Sequence, residues 1–325
     1  MPPAKSSKGP VVGVDLGGTN MQIGVVSPER ELLGESKRKT KSDEGLDAIV
    51  TRLISGVEEA CAAAGITLRD LVALGIGAPG AVDPIEGVVL EAVNLRWDNI
   101  PIAEILSKRL GIPVFLDNDV NVAVYGEYRL GAGVGSKHLL GVWVGTGIGG
   151  GLILNNSLHY GHFMTAGEIG HTLILPGNPP GSRSLEHNCS RTAVVDRLVR
   201  LIRSNRKSIL VKLAEGDIEG IKSKTIAEAF RRKDELTVEV IEETAHLLGV
   251  AISNGVTLLS LERVVLGGGL TEALGTPWVE MVKRYTRRYA FPDRCKKVEV
   301  VESQLMDHAG VFGAAMVAID RMNAK

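Results

Sequence analysis

The stretch VVGVDLGGTN at 11–20 recurs in outline as LLGVWVGTGI at 139–148. Each is an apolar strand with glycine at its third position, followed at the same offset by a Gly/Thr turn. Self-similarity of this kind reads as one supersecondary unit used twice. It asks for two similar lobes. The length of 325 residues agrees, because a chain of that size outgrows one ordinary core.

Hydrophobic periodicity fills in the rest. Val11–Leu16 and about Met21–Val26 predict a hairpin around the first glycine turn. Leu46, Ile49, Leu53, Val57 and Cys61 recur at helical spacing, so a helix is expected from about Leu46 to Ala64, stopped by Gly65. Val72–Gly77 predicts a buried strand leading to a Pro79-Gly80 turn, and Pro113–Leu116 another, running into a helix from near Val120 to about Gly131. Leu139–Val144 predicts a strand, then a loop over Gly145–Gly151, then a short strand Leu152–Leu154. A long helix is expected over Glu239–Leu261, a strand over Arg263–Leu266, and a turn at Gly267-Gly268-Gly269. Helices from about Trp278 to Tyr289 and from about Gly310 flank a last strand, Lys297–Glu302. Strands alternating with helices make an α/β protein.

Lysine plus arginine number 37 against 38 acids. Such a balance argues against nucleic acid as a partner, since gripping a phosphate backbone needs surplus positive charge. No apolar run is long enough to cross a bilayer. Cys61, Cys189 and Cys295 are too few and too scattered for a disulfide framework, which fits a reducing cytoplasm. Residues 1–10, MPPAKSSKGP, lack the apolar core of a signal peptide and are expected to form a disordered tail. The 39 glycines point to turns whose backbone approaches a ligand closely.

Asp15-Leu16-Gly17-Gly18-Thr19-Asn20 is the first candidate site. Glycines after a strand turn backbone N–H groups toward an anion, and Thr19 and Asn20 add side-chain donors. Asp15, acidic at the end of an apolar strand, is placed to hold Mg²⁺ through water. The competing reading is an Asx-capped hairpin turn. Gly145–Gly151, five glycines with Thr146 among seven residues, is the second phosphate candidate. Asn118-Asp119 sits at a strand-to-helix junction and is either a helix cap or a sugar-directed base. Glu168 and His171 could together grip adjacent hydroxyls, bind a metal, or form an ordinary ion pair. Asn94, polar in an apolar run, and Glu186 complete the group.

In order along the chain, VGVDLGGTN (12–20), GIGAPGAVD (75–83), NLRW (94–97), DNDVNVAVYGE (117–127), VGTGIGGGLI (144–153), AGEIGH (166–171), VVLGGGL (264–270) and DHAGVFGAA (307–315) resemble the ROK family (repressor, open reading frame, kinase), and within it the bacterial glucokinases. The resemblance implies the actin-like ATPase fold, hexokinase-type and ribonuclease H-like, duplicated in two lobes that close over a cleft. A small lobe would comprise 11–119 plus 306–325, and a large lobe 120–305. It implies a hexose as substrate, glucose first, phosphorylated on its 6-hydroxyl from ATP with Mg²⁺, and a homodimer. By the same resemblance Asp119 is the base. Gly80, Asn94, Asn118, Asp119, Glu168, His171 and Glu186 hold the sugar. Gly17, Gly18, Thr19, Thr146 and Gly147 hold phosphate, and Gly268 and Gly269 border the nucleoside. Fructose, N-acetylmannosamine or N-acetylglucosamine as substrate, and polyphosphate as donor, stay open. A sugar-responsive regulator is disfavoured, because too few residues precede Val11 for a DNA-binding domain.

One departure stands out. The family's C-x-C-G-x-x-G-C-x-E motif is here Pro179-Pro180-Gly181-Ser182-Arg183-Ser184-Leu185-Glu186. Glu186 survives and the three cysteines do not. Cys189 and His171 cannot close a tetrahedral zinc site, so no structural zinc is expected.

Overall fold

The computed structural model describes residues 9–324. Of the expected tail, 1–10, only Gly9 and Pro10 fall among them, and the Pro10 carbonyl already accepts the Val72 N–H at 3.1 Å. The chain divides into two compact units. The first runs to Val134 and adds Tyr160–Ala166 and the chain from Asp307 onward; the second comprises Gly135–His159 and Gly167–Met306.

In the first unit, β1 (Val11–Leu16), β2 (Asn20–Val26), β3 (Leu32–Lys39), β4 (Ala73–Ala78) and, beyond a separate small sheet, β8 (Val114–Asn118) form a sheet of order β3-β2-β1-β4-β8. β1 pairs antiparallel with β2 and parallel with β4, which is parallel to β8. Alternation decides the two faces. Val12, Val14 and Leu16 pack with Ile49, Val50, Leu53 and Val57 of the helix Leu46–Ala63. Val11, Gly13 and Asp15 turn to the helix Ala309–Asn323. A side chain at Gly13 would fall on the Val311 carbonyl, so glycine there lets the helix lie directly on the strand. The helix Asp119–Leu130 also belongs to this unit. A Cβ at Gly313 would collide with the Val122 carbonyl, so small residues bring the two helices together. Much of the glycine surplus therefore serves close packing of helices, where the sequence suggested turns at a ligand.

The separate sheet, β5 (Ala81–Asp83), β6 (Val88–Ala92) and β7 (Trp97–Ile100), is antiparallel. Its strands of three to five residues are too short to leave a readable alternation.

The second unit repeats the first topology. β9 (Leu139–Val144), β10 (Ile148–Leu154), β11 (Ser157–Leu158), β12 (Arg263–Gly267) and β13 (Glu299–Glu302) take the order β11-β10-β9-β12-β13, with β9, β12 and β13 parallel. The internal repeat is thus a repeat of sheet order. Leu140, Val142, Val144, Val264 and Leu266 face the core shared with the helices Glu235–Leu259 and Thr276–Tyr289.

One expectation is corrected here. Gly149, Gly150 and Gly151 are not loop but the first half of β10, paired with Trp143, Val142 and Gly141. A Cβ at Gly150 would collide with the Gly167 carbonyl. Those glycines make room for the segment that carries Glu168, and the turn itself shrinks to Gly145-Thr146-Gly147.

Candidate active site

In the first unit, the glycine turn between β1 and β2 is closed by Gly17 N–H to the Asn20 carbonyl at 2.9 Å. Thr40 secures it, donating its hydroxyl to the Gly17 carbonyl at 2.6 Å and its N–H to the Thr19 carbonyl at 2.8 Å. Thr19 and Asn20 stay exposed, so their side chains are presented outward. A Cβ at Gly18 would lie 2.9 Å from that of Asn94, which places Asn94 against the turn.

The register carries the site across the sheet. Asp15 pairs with Gly77, and Gly77 with Asp117. The next residues, Asn118 and Asp119, end β8 and begin the helix Asp119–Leu130. The Asn118 carboxamide oxygen accepts the N–H groups of Val120 at 2.9 Å and Asn121 at 3.1 Å. Its nitrogen donates to the Gly80 carbonyl at 3.0 Å. Gly80 has φ of +89°, and a Cβ there would strike the Glu91 carbonyl; no other residue fits that turn. Asn118 is therefore a helix cap and at the same time a strut to the Pro79-Gly80 turn. Asp119 sits at the helix start and accepts the Val120 N–H at 2.9 Å.

Beneath this junction lies a buried polar cluster. Asp117 accepts from Asn118 N–H at 2.9 Å and Asn121 Nδ2 at 3.2 Å on one oxygen, and from Arg321 Nη2 and Tyr160 Oη, both at 2.6 Å, on the other. Arg321 also donates to the carbonyls of Leu116 at 2.8 Å and Pro84 at 3.0 Å. Burial pushes the Asp117 carboxyl up against the opposing pull of Arg321. Asp15 keeps some surface, yet protein surrounds its carboxyl. Burial first, then the charges of Asp119 and Asp307, raise it to about 7 against the lowering effect of Lys37.

In the second unit the turn Gly145-Thr146-Gly147 closes by Gly145 N–H to the Gly147 carbonyl at 2.9 Å. Glu186, at the start of the helix Leu185–Cys189, accepts the Ile148 N–H at 2.8 Å. A Cβ at Gly147 would collide with that carboxylate. Arg191 N–H donates to the Gly145 carbonyl at 2.9 Å, Arg191 Nη2 to Thr146 Oγ1 at 3.0 Å, and Thr192 Oγ1 to the Thr146 carbonyl at 2.8 Å. Gly268, with φ of +85°, rests on the backbone of Val144, and Gly269 begins a helix. Gly268 and Thr146 thus flank the carboxyl ends of neighbouring parallel strands, the usual ligand position in such sheets. Glu168 and His171 are exposed, 3.9 Å apart across the short turn Ile169–His171 that packs on β10. Cys189 is buried against the Thr244 carbonyl, and burial pushes its thiol up to about 12.

Each unit therefore gathers its own share of the expected residues. The first holds Asp15, Gly17, Gly18, Thr19, Asn20, Gly80, Asn94, Asn118 and Asp119; the second holds Thr146, Gly147, Glu168, His171, Glu186, Gly268 and Gly269. Arg191, Thr192, Tyr160 and Arg321 escaped the sequence reading. Each meets its partner across more than forty residues of chain, Arg321 across about two hundred, and no local pattern announces such a pairing.

Two sheets of one order, each with a glycine turn at the end of its central strand, define the duplicated α/β fold of the actin-like ATPases that act as sugar kinases. The chain belongs to the ROK family, whose model matches residues 11–321. A glucokinase of Halalkalibacterium halodurans is 30% identical over 319 residues, covering 96% of each chain. A glucokinase of Streptomyces coelicolor is 32% identical over 317 residues, covering 95% of this chain and 98% of its own. The crystal structure of a ROK family glucokinase from Streptomyces griseus in complex with glucose and AMPPNP matches with a TM-score of 0.84 at 32% identity, covering 96% of this chain and 100% of that one.

Proposed function

We propose that this protein is a glucokinase, transferring the γ-phosphate of ATP to the 6-hydroxyl of glucose. The observation that carries the reading is the junction at Asn118-Asp119. A carboxylate there is held at a helix start by a cap that also braces the Gly80 turn, in a chain 32% identical to a glucokinase bound to glucose and AMPPNP. Asp119 takes the proton of the 6-hydroxyl as that oxygen forms its bond to the γ-phosphorus; the bond from phosphorus to the β–γ bridging oxygen breaks, and ADP leaves. Backbone N–H groups of the two glycine turns, with Thr19 and Thr146, offset charge on the phosphates. Asn94, Asn118, Glu168, His171 and Glu186 are the proposed polyol contacts, and Gly268-Gly269 the nucleoside border.

The acids around Asp15 fit a cation brought in with the nucleotide. Their mutual repulsion is what raises its carboxyl beyond the effect of burial, and a divalent charge would relieve it. Among the described residues no three acidic, histidine or cysteine side chains converge as direct ligands, so Asp15 would hold Mg²⁺ through water. When bound, that ion neutralises the β- and γ-phosphates. A homodimer and a cytoplasmic setting belong to the same reading, supported by the family resemblance and by three free cysteines.

The test is a sugar panel. Purified protein with ATP and Mg²⁺ should produce glucose 6-phosphate, measured by coupled NADPH formation, with higher kcat/KM on glucose than on fructose, N-acetylmannosamine or N-acetylglucosamine. Preference for one of those sugars would reassign the substrate. Turnover with polyphosphate but not ATP would reassign the donor.

A further inference from the structure

The turn proposed to hold donor phosphate has a negative charge built into its back. Glu186 accepts the Ile148 N–H at 2.8 Å, and its carboxylate occupies the space a side chain at Gly147 would need. A carboxylate so placed opposes the binding of a polyanion, so the turn calls for a cation to offset it. Arg191 meets that requirement. It opens the thirteen-residue helix Arg191–Arg203. Its N–H is tied to the Gly145 carbonyl at 2.9 Å, and its guanidinium reaches Thr146 Oγ1 at 3.0 Å. Further along the same helix Arg197 and Arg203 hold Glu243 and Glu219. The Arg191 guanidinium has no carboxylate within ion-pair distance among the described residues, only the neutral threonine hydroxyl. A guanidinium carries five donors in a planar fork that matches phosphate oxygens. One is used here, and the side chain stays partly open to solvent.

We infer that Arg191 is a donor-phosphate ligand, its free guanidinium N–H groups binding the terminal phosphates of the nucleotide on the turn Gly145-Thr146-Gly147. The assignment rests on the kinase reading above. It also gives the Thr146 hydroxyl a second role, that of orienting the guanidinium.

The alternative to phosphate binding is a prop for the turn, and Arg191→Gln separates the two. Glutamine retains a donor for Thr146 Oγ1 and removes the charge; Arg191→Lys retains the charge. Calorimetric titration of the full chain with Mg²⁺-AMPPNP, AMP and glucose reads the outcome. Arg191→Gln should weaken AMPPNP by about 10- to 100-fold, the range of a charge-assisted hydrogen bond. AMP and glucose should stay within about threefold, as for contacts the change does not touch, and Arg191→Lys should recover most of the loss. Unchanged AMPPNP affinity in Arg191→Gln, or an equal loss for AMP, would overturn the assignment while leaving the kinase reading intact. Failure of the wild-type chain to bind Mg²⁺-AMPPNP at all would overturn both.

Discussion

Asp15 has an environment far from the ordinary one of a carboxylate. Its carboxyl titrates near 7 because burial and two neighbouring acids disfavour the charge. In the unfolded chain it titrates near 3.8. Below the unfolded value both states hold the proton, and the site contributes its full stability. As pH rises from there toward 7, the unfolded chain releases the proton while the folded one retains it. Stability is lost through that window and levels off above it. Asp15→Asn, which cannot ionise, should therefore match wild type near pH 4 and exceed it increasingly to pH 8. The ceiling is on the order of 3–4 kcal/mol for a shift of this size. Thermal melts of the nucleotide-free proteins across that range check the sign; a difference independent of pH would mean that Asp15 is ionised throughout. The sequence marked Asp15 as unusual because an acid ends an apolar strand. It could not show that Asp119 and Asp307, more than a hundred and nearly three hundred residues away, add their charge.

At the scale of elements, the strand-to-helix junction at Asn118-Asp119 is held from below by chain that is remote in sequence. Arg321 comes from the C-terminal helix and Tyr160 from the short segment Tyr160–Ala166, and both bind Asp117. Removing one partner of a buried pair leaves a charge without compensation, at about 3–5 kcal/mol. Arg321→Met should therefore lower the melting temperature sharply. Combining it with Asp117→Asn should be less damaging than the sum of the two single changes. Simple additivity in denaturant titrations would show that the pair is not coupled. In the sequence Asp117 carries no mark of these partners; it is only the residue before the Asn118-Asp119 junction. The hairpin β1–β2 and the strand β9 are legible because short apolar runs lead into glycine-rich turns. The first half of β10 is not legible, since three consecutive glycines look like loop and only the Gly167 segment shows why the strand needs them.

At the scale of the whole molecule, the most informative signal in the chain was the echo of 11–20 in 139–148. The structure answers it with two sheets of one strand order. The residues that differ between the units are those that the chemistry would need to differ. The first unit offers acids at Asp15 and Asp119 and the amides Asn94 and Asn118, and the second offers the turn Gly145-Thr146-Gly147, proposed above to hold phosphate, flanked by Arg191, Thr192 and Glu186. The segment around Pro179–Glu186, which lacks the cysteines the resemblance led one to expect, makes hydrogen bonds of its own. The Arg183 carbonyl accepts the N–H groups of Ile174 and Leu175, Arg183 Nε donates to the Asn178 carbonyl, and Ser184 caps the helix that bears Glu186. Ser184 is a legible cap, whereas the backbone pairing of Arg183 leaves no mark on residue identity.

The central claim is that Asp119 removes the proton from a sugar hydroxyl during phosphoryl transfer, and Asp119→Asn tests it most directly. The variant keeps the size of the side chain and its acceptor for the Val120 N–H, and loses only the base. Glucose affinity measured by calorimetry should stay within about fivefold of wild type, while kcat falls by roughly 10²–10⁴, the usual worth of a positioned general base. A variant that binds glucose normally and turns over at near wild-type rate would contradict the account.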